Sequence, residues 1–152
     1  AHPALAAFGE LINAAIRDSA AFFRQSGLAA HPVMARAAER WTLRVWGTVL
    51  GPGGHQAPHM HPLGWLSGAY YVRVPGDMQP MPGSSDPALI AGALEFGRPP
   101  EHLLIKTPAE VRVVEPRAGR LALFPSAFYH RTIPFTSGTR RISIAFDAMP
   151  LS

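Results

Sequence analysis

The chain contains no cysteine, only one lysine (Lys106), and no apolar run near the roughly 18 to 20 residues needed to cross a bilayer. Without cysteine there is no disulfide framework, no thiolate metal site and no cysteine nucleophile. The N-terminal segment is interrupted by Glu10, Arg17 and Asp18, so it reads neither as a span nor as a secretory leader. A soluble, cytoplasmic protein without membrane contact is the expectation. Charge is also scarce, at 16% of residues, and the net excess of +4 rests on arginine. Its thirteen arginines are scattered from Arg17 to Arg141 without the run or stripe that tracks phosphates, which argues against nucleic-acid binding.

What is present is apolar. Hydrophobic residues make up 47% of the 152, enough for one domain with one packed core and against disorder. From Ala4 to about Gln25, Leu5, Phe8, Ile12, Ile16 and Phe23 recur at helical spacing, and Ser26-Gly27 supplies a stop. A shorter helix is expected from Pro32 to about Arg40. After Trp41 the pattern changes to short β-branched and aromatic segments punctuated by glycine and proline. Strands are expected near 41–50, 65–74, 89–96, 103–106, 110–114, 120–124, 129–134 and 140–147. The reading is a single domain over 1–152, mainly β with N-terminal helices: a helical lead-in at 1–40 packed on a sandwich or jelly-roll barrel at 41–149. The Pro/Gly-rich stretch 75–88 reads as a loop, either a surface connection or a lid over a pocket mouth.

Three of the seven histidines fall within 55–61. His59 and His61 flank Met60, and in extended chain residues i and i+2 share a face, so two imidazoles project together. Such a pair suits iron, copper, nickel or zinc. His130 heads a later strand segment and offers a third, distant ligand. In "RRISIAF", Ile142, Ile144 and Phe146 form one face, while Arg141, Ser143 and Ala145 form the other. Arg141 rather than Arg140 is therefore expected to face a pocket, where its fork would pair with a carboxylate.

The segments "PHMHPLGWLSGAYYV", "GRLALFPSAFYHRTIPF" and "RISIAFD", in that order, resemble the Fe(II)/2-oxoglutarate-dependent oxygenase family related to prolyl hydroxylases. The similarity covers residues 41 to 149. It implies a double-stranded β-helix that holds Fe(II) on an H-x-D/E…H triad and uses 2-oxoglutarate as cosubstrate, giving succinate, CO2 and a hydroxylated small-molecule or peptide substrate. By motif position the metal ligands are His59, His61 and His130. Arg141 would take the far carboxylate of 2-oxoglutarate, with Tyr70 as a second contact and Tyr71 turned to the core. His61 stands where the superfamily usually has Asp or Glu, which leaves the complex one unit more positive. Whether His55 or Glu95 replaces a ligand stays open. Ser67, Gly68, Pro125 and Ser126 read as turn and packing residues; Trp41, Trp46 and Trp65 read as core or pocket wall.

Two rivals share the barrel. A cupin would use Gly53, five residues and then His59-Met60-His61, but its glutamate is missing from "PLGWL", and Gly119 is followed by "RLA" without the expected histidine. The other is a non-catalytic binding module.

Overall fold

The computed structural model describes residues 2–79 and 90–151. One long helix, α1, runs over Pro3–Gln25. His2 caps it, its Nδ1 accepting from the Ala4 N–H at 3.2 Å, and proline opens the first turn, where a lost N–H does no harm. Gly27, at φ +72°, lets the chain leave the far end. The same His-Pro device starts the next element, where His31 Nδ1 accepts from Val33 N–H. That element is only a 3₁₀ turn, Pro32–Arg36, shorter than the helix expected to Arg40.

The barrel is two facing four-stranded antiparallel sheets. One has the order β1-β8-β3-β6, from β1 (Trp41–Leu50), β8 (Arg141–Pro150), β3 (Leu66–Arg73) and β6 (Leu121–Pro125). The other has the order β2-β7-β4-β5, from β2 (Gln56–His59), β7 (His130–Thr132), β4 (Leu94–Phe96) and β5 (Arg112–Val114). Eight strands alternating between two sheets in this way make a jelly roll, the double-stranded β-helix.

The helix side of the first sheet holds a main core. Ile12, Ile16 and Ala20 of α1 pack on Trp65, Leu66, Phe146 and Ala148. Burial of an Ile or Phe here stabilises by about 1.5–3 kcal/mol each. Trp41 and Trp65 belong to this region, and their indole N–H groups donate to Asn13 Oδ1 and Val33 O at 2.9 Å. Strand alternation then sorts the residues of β3 and β8. Leu66, Phe146 and Ala148 face the helix, while Ser67, Ala69, Arg141, Ser143 and Ala145 line the space between the sheets. Gly68 lies where β3 crosses Phe146: a Cβ at this position would overlap the Phe146 ring and the Ala122 carbonyl. Since Phe146 is fully buried and cannot swing away, Gly68→Ala is expected to lower unfolding stability by about 1–3 kcal/mol, measured by chemical denaturation.

Three strand expectations change. Residues 103–106 form no strand; a 3₁₀ turn, Glu101–Leu103, ends at Leu104 in the left-handed region (φ +46°), and Leu104 and Ile105 are exposed. Strand β2 stands where none was expected. It lies at a sheet edge, which tolerates Pro58, and it is held by β7 across a bulge between Gln56 and His59. Of the segment expected at 89–96, residue 89 lies outside the described residues, and among the rest the strand covers Leu94–Phe96. Of the expected 75–88 loop, residues 80–88 lie outside the described residues, and its start is tied by a bridge from Gln79 to Thr136.

Candidate metal centre

The β2–β7 pairing places His59 directly across from His130, the first residue of β7. Two residues beyond the end of β2, the His61 N–H donates to Ser126 O at 2.9 Å, which turns that ring back toward the other two. Ring centroids are 4.3 Å apart for His59–His130, 5.2 Å for His59–His61 and 5.1 Å for His61–His130. One nitrogen from each ring lies within 4.8 Å of the others, close enough for small side-chain rotations to gather all three on one cation.

The hydrogen bonds settle the tautomers. His59 Nδ1 is 2.8 Å from Ala57 O, His130 Nδ1 is 2.9 Å from Phe128 O, and His61 Nδ1 is 2.6 Å from Asp147 Oδ1. Carbonyl and carboxylate oxygens only accept, so each Nδ1 carries the proton and each neutral ring keeps its lone pair on Nε2. Each of the three rings thus presents an unprotonated Nε2 in its neutral form. Burial pushes His130 down from 6.5 to about 4, against its bond to Phe128 O and with help from the neighbouring His59 and His61. Burial opposes ionisation of Asp147, yet the hydrogen bonds from His61 and Ser67 hold its carboxyl below the ordinary range.

The His130 shift has a consequence for the metal-free protein. As pH falls, the unfolded chain takes up this proton first, so the contribution is complete above about 6.5 and is lost between there and about 4. The expected loss is about 3 kcal/mol. Denaturation at stepped pH checks it, and His130→Gln should flatten the slope in that window.

Arg141 shares the cavity with the three histidines, along with Trp46, Thr48, Ser143 and Thr132. It is 2% exposed, whereas Arg140 is exposed, as the alternation argument expected. Its Nε and Nη1 have no hydrogen-bond partner among the described residues, and its guanidinium lies over the Tyr71 ring at 4.9 Å. A buried cation with idle donors is a costly arrangement unless an anion joins it. Burial lowers the guanidinium from its usual range, a shift that Tyr71 opposes, but an arginine keeps its proton.

Tyr70 and Tyr71 exchange the places expected of them. Tyr70 stands against Phe8 of α1, centroids 5.2 Å apart, on the helix side of the sheet. Tyr71 is fully buried next to Arg141, with its hydroxyl unpartnered among the described residues. It shares parity with Ser67 and Ala69, which line the cavity, and Tyr70 shares parity with Leu66, which packs on the helix. Neither open replacement for a ligand belongs to the cluster of His59, His61 and His130. His55 turns its Nδ1 to Gly53 O at 3.3 Å, and the buried Glu95 accepts from Arg98 Nε and Arg131 Nε, each at 2.7 Å. Asp147 was not singled out in the sequence, although it sits two residues past Ala145 on the same face of β8. Ser126 lies buried in the turn after β6, which Phe128 N–H closes onto Pro125 O at 3.0 Å, whereas Ser67 lies within β3 and serves no turn; their hydroxyls are 2.7 Å apart, and Ser67 Oγ donates to Asp147 Oδ1 at 2.6 Å.

Fold and geometry together define a double-stranded β-helix protein with a histidine cluster and a buried arginine in one cavity between its sheets. More specifically, the chain belongs to the 2OG-Fe(II) oxygenase family: the family model described as "Putative 2OG-Fe(II) oxygenase" matches residues 44–147. Fe(II) is the cofactor of that family and 2-oxoglutarate its cosubstrate. A PKHD-type hydroxylase from Parvibaculum lavamentivorans is 41% identical over a 56-residue alignment that covers 34% of this chain and 26% of that protein. The aligned part is thus about a quarter of the relative's length. Among solved structures, a Pseudomonas putida prolyl-4-hydroxylase superposes with a TM-score of 0.51 at 17% identity, covering 84% of this chain and 60% of the other. A Burkholderia pseudomallei oxidoreductase of the 2OG-Fe(II) oxygenase family gives 0.52 at 13%, covering 76% and 48%. At these identities the likeness is one of fold. No helix among the described residues is long and apolar enough to cross a membrane.

Proposed function

We propose that this chain is an Fe(II)- and 2-oxoglutarate-dependent dioxygenase that hydroxylates a small-molecule or peptide substrate in the cytoplasm, acting as one domain over 1–152. The observation that carries the proposal is Arg141: a buried guanidinium whose Nε and Nη1 have no hydrogen-bond partner among the described residues, in the same cavity as three imidazoles whose Nδ1 protons are committed elsewhere. A dicarboxylate that reaches the metal with one end and Arg141 with the other satisfies both at once. His59, His61 and His130 would hold the iron. Iron and 2-oxoglutarate together supply the oxidative chemistry, and the protein supplies the rest.

That remainder is placement and exclusion. Arg141, stacked on Tyr71, would orient the far carboxylate in a dry site where the charge pair is strong. Tyr71 rather than Tyr70 would add the second contact. The small residues Ser143, Ala145, Ala69 and Gly68 leave room along β3 and β8. The cavity between the sheets is small, about 40 Å³. A larger open groove of about 900 Å³ runs between α1 and the start of β1, but its side chains include Arg17, Arg24 and Arg40 and no histidine.

The test is turnover without a chosen substrate. Fe(II)-loaded protein given 2-oxoglutarate, O2 and ascorbate, which supplies the two electrons that reduce the second oxygen atom to water in place of a substrate, is expected to release succinate and CO2 in equal amounts, more slowly than with its substrate. Iron bound at one per chain with no succinate and no 2-oxoglutarate binding would leave the cupin-like or non-catalytic reading.

A further inference from the structure

The three imidazoles are not held alike. His59 and His130 each donate Nδ1–H to a main-chain carbonyl two residues back, a neutral and local acceptor. His61 alone donates to a carboxylate, Asp147 Oδ1 at 2.6 Å, from a strand 86 residues away. His61 is also the ligand that stands where the superfamily usually has an acid. The carboxylate missing from the metal's own shell is therefore present one hydrogen bond further out, behind that same ligand.

Its position is built, not incidental. Ser67 Oγ donates to the same Oδ1 at 2.6 Å and is 2.7 Å from Ser126 Oγ, and both serines are buried. A Cβ on Gly64 would come within 2.5 Å of Ser126 Oγ, so a glycine is what allows that serine to sit there. The other side of the His61 ring stacks on Trp46, with centroids 5.7 Å apart and planes 23° apart. Trp46 thus fixes the plane of the ring, and Asp147 fixes its tautomer by holding the Nδ1 proton. Strand β8 thus brings two opposite charges into the barrel from one face: Arg141 toward the cosubstrate end of the cavity and Asp147 behind the metal ligand.

We propose that Asp147 is a positioning residue that supplies the negative charge the H-x-H motif lacks, raising the donor strength of His61 and aiming its Nε2 at the metal. A dication with this pair carries the same overall charge as one bound to an acid at position 61. Carboxylate–histidine–metal relays of this kind alter metal affinity by about 10- to 100-fold. The inference rests on the reading of His61 as a ligand under Proposed function.

The experiment is anaerobic calorimetry of Fe(II) binding to the full chain and to Asp147→Asn, His61→Ala and the double variant, with folding checked by circular dichroism. Asp147→Asn keeps the shape but removes the charge, and is expected to weaken Fe(II) binding by about 10- to 100-fold. In the His61→Ala background the same change should alter affinity by less than about twofold, because the relay has lost its carrier. Ser67→Ala, which spares the charge, should cost less than about threefold. If Asp147→Asn does not fold, His61→Asp with Asp147→Asn, which moves the carboxylate into the metal's own shell, is expected to bind Fe(II) within about tenfold of the parent. Equal affinity of Asp147→Asn and the parent, equal losses in both His61 backgrounds, or no binding by the folded double swap would overturn the relay. Unchanged affinity in His61→Ala would instead remove the ligand assignment beneath it.

Discussion

Arg141→Met is expected to weaken 2-oxoglutarate binding to the metal-loaded protein by about 100-fold or more while leaving Fe(II) affinity within a fewfold of the parent. Removing one partner from a buried, hydrogen-bonded charge pair costs about 2–5 kcal/mol, most of it paid by the anion left unpaired. The same substitution should act in the opposite direction on the ligand-free protein. There Arg141 is a buried cation whose Nε and Nη1 have no partner among the described residues, so replacing it with an apolar chain of similar reach is expected to raise stability by about 1–2 kcal/mol, net of the lost contact with Tyr71. Titration of 2-oxoglutarate and thermal unfolding, run on the same two proteins, read both effects. A destabilised variant with undiminished 2-oxoglutarate affinity would contradict this use of Arg141.

His130→Ala should remove the metal itself. Four-ligand protein sites reach total binding free energies of roughly 10–16 kcal/mol, which is about 3 kcal/mol per ligand and about 100-fold or more for one lost imidazole. The structure makes His130 the least replaceable of the three. It is the most buried, it pairs with His59 across β2 and β7, and its ring is wedged at 4.7 Å from that of Phe124. Neighbouring side chains that could substitute are absent among the described residues: Asp147 is committed to His61 and Ser67, and Glu95 to Arg98 and Arg131. Metal content after dialysis against Fe(II), with the folded state checked, measures the effect. Full occupancy in the variant would mean that the cation sits elsewhere.

Local signals in the chain were enough for some of this architecture. The span of α1 follows from its apolar period and its Ser-Gly stop, because both are set within a few residues. Strands β1 and β8 are long and regular, and alternation along β8 alone turns Arg141 inward and Arg140 outward. Parity would have extended to Asp147 as well. Strand β2 was hidden because its sequence, Gln56 to His59, contains a proline and follows a Gly/Pro-rich stretch; only its partner β7 makes it a strand. Residues 103–106 show the converse, an apolar run with no strand partner among the described residues. The tyrosine exchange has a related cause. Both faces of β3 are buried, Leu66 under the helix and Ser67 in the cavity, so hydrophobicity could not say which face was which until α1 was in place.

The most direct measurement is a crystal structure grown without oxygen in the presence of Fe(II) and 2-oxoglutarate, with data collected at the iron edge. One anomalous peak per chain is predicted, at bonding distance from Nε2 of His59, His61 and His130, with the diacid running from that peak to the Arg141 guanidinium. A peak away from those nitrogens, or imidazoles that stay apart with iron supplied in excess, would contradict the account.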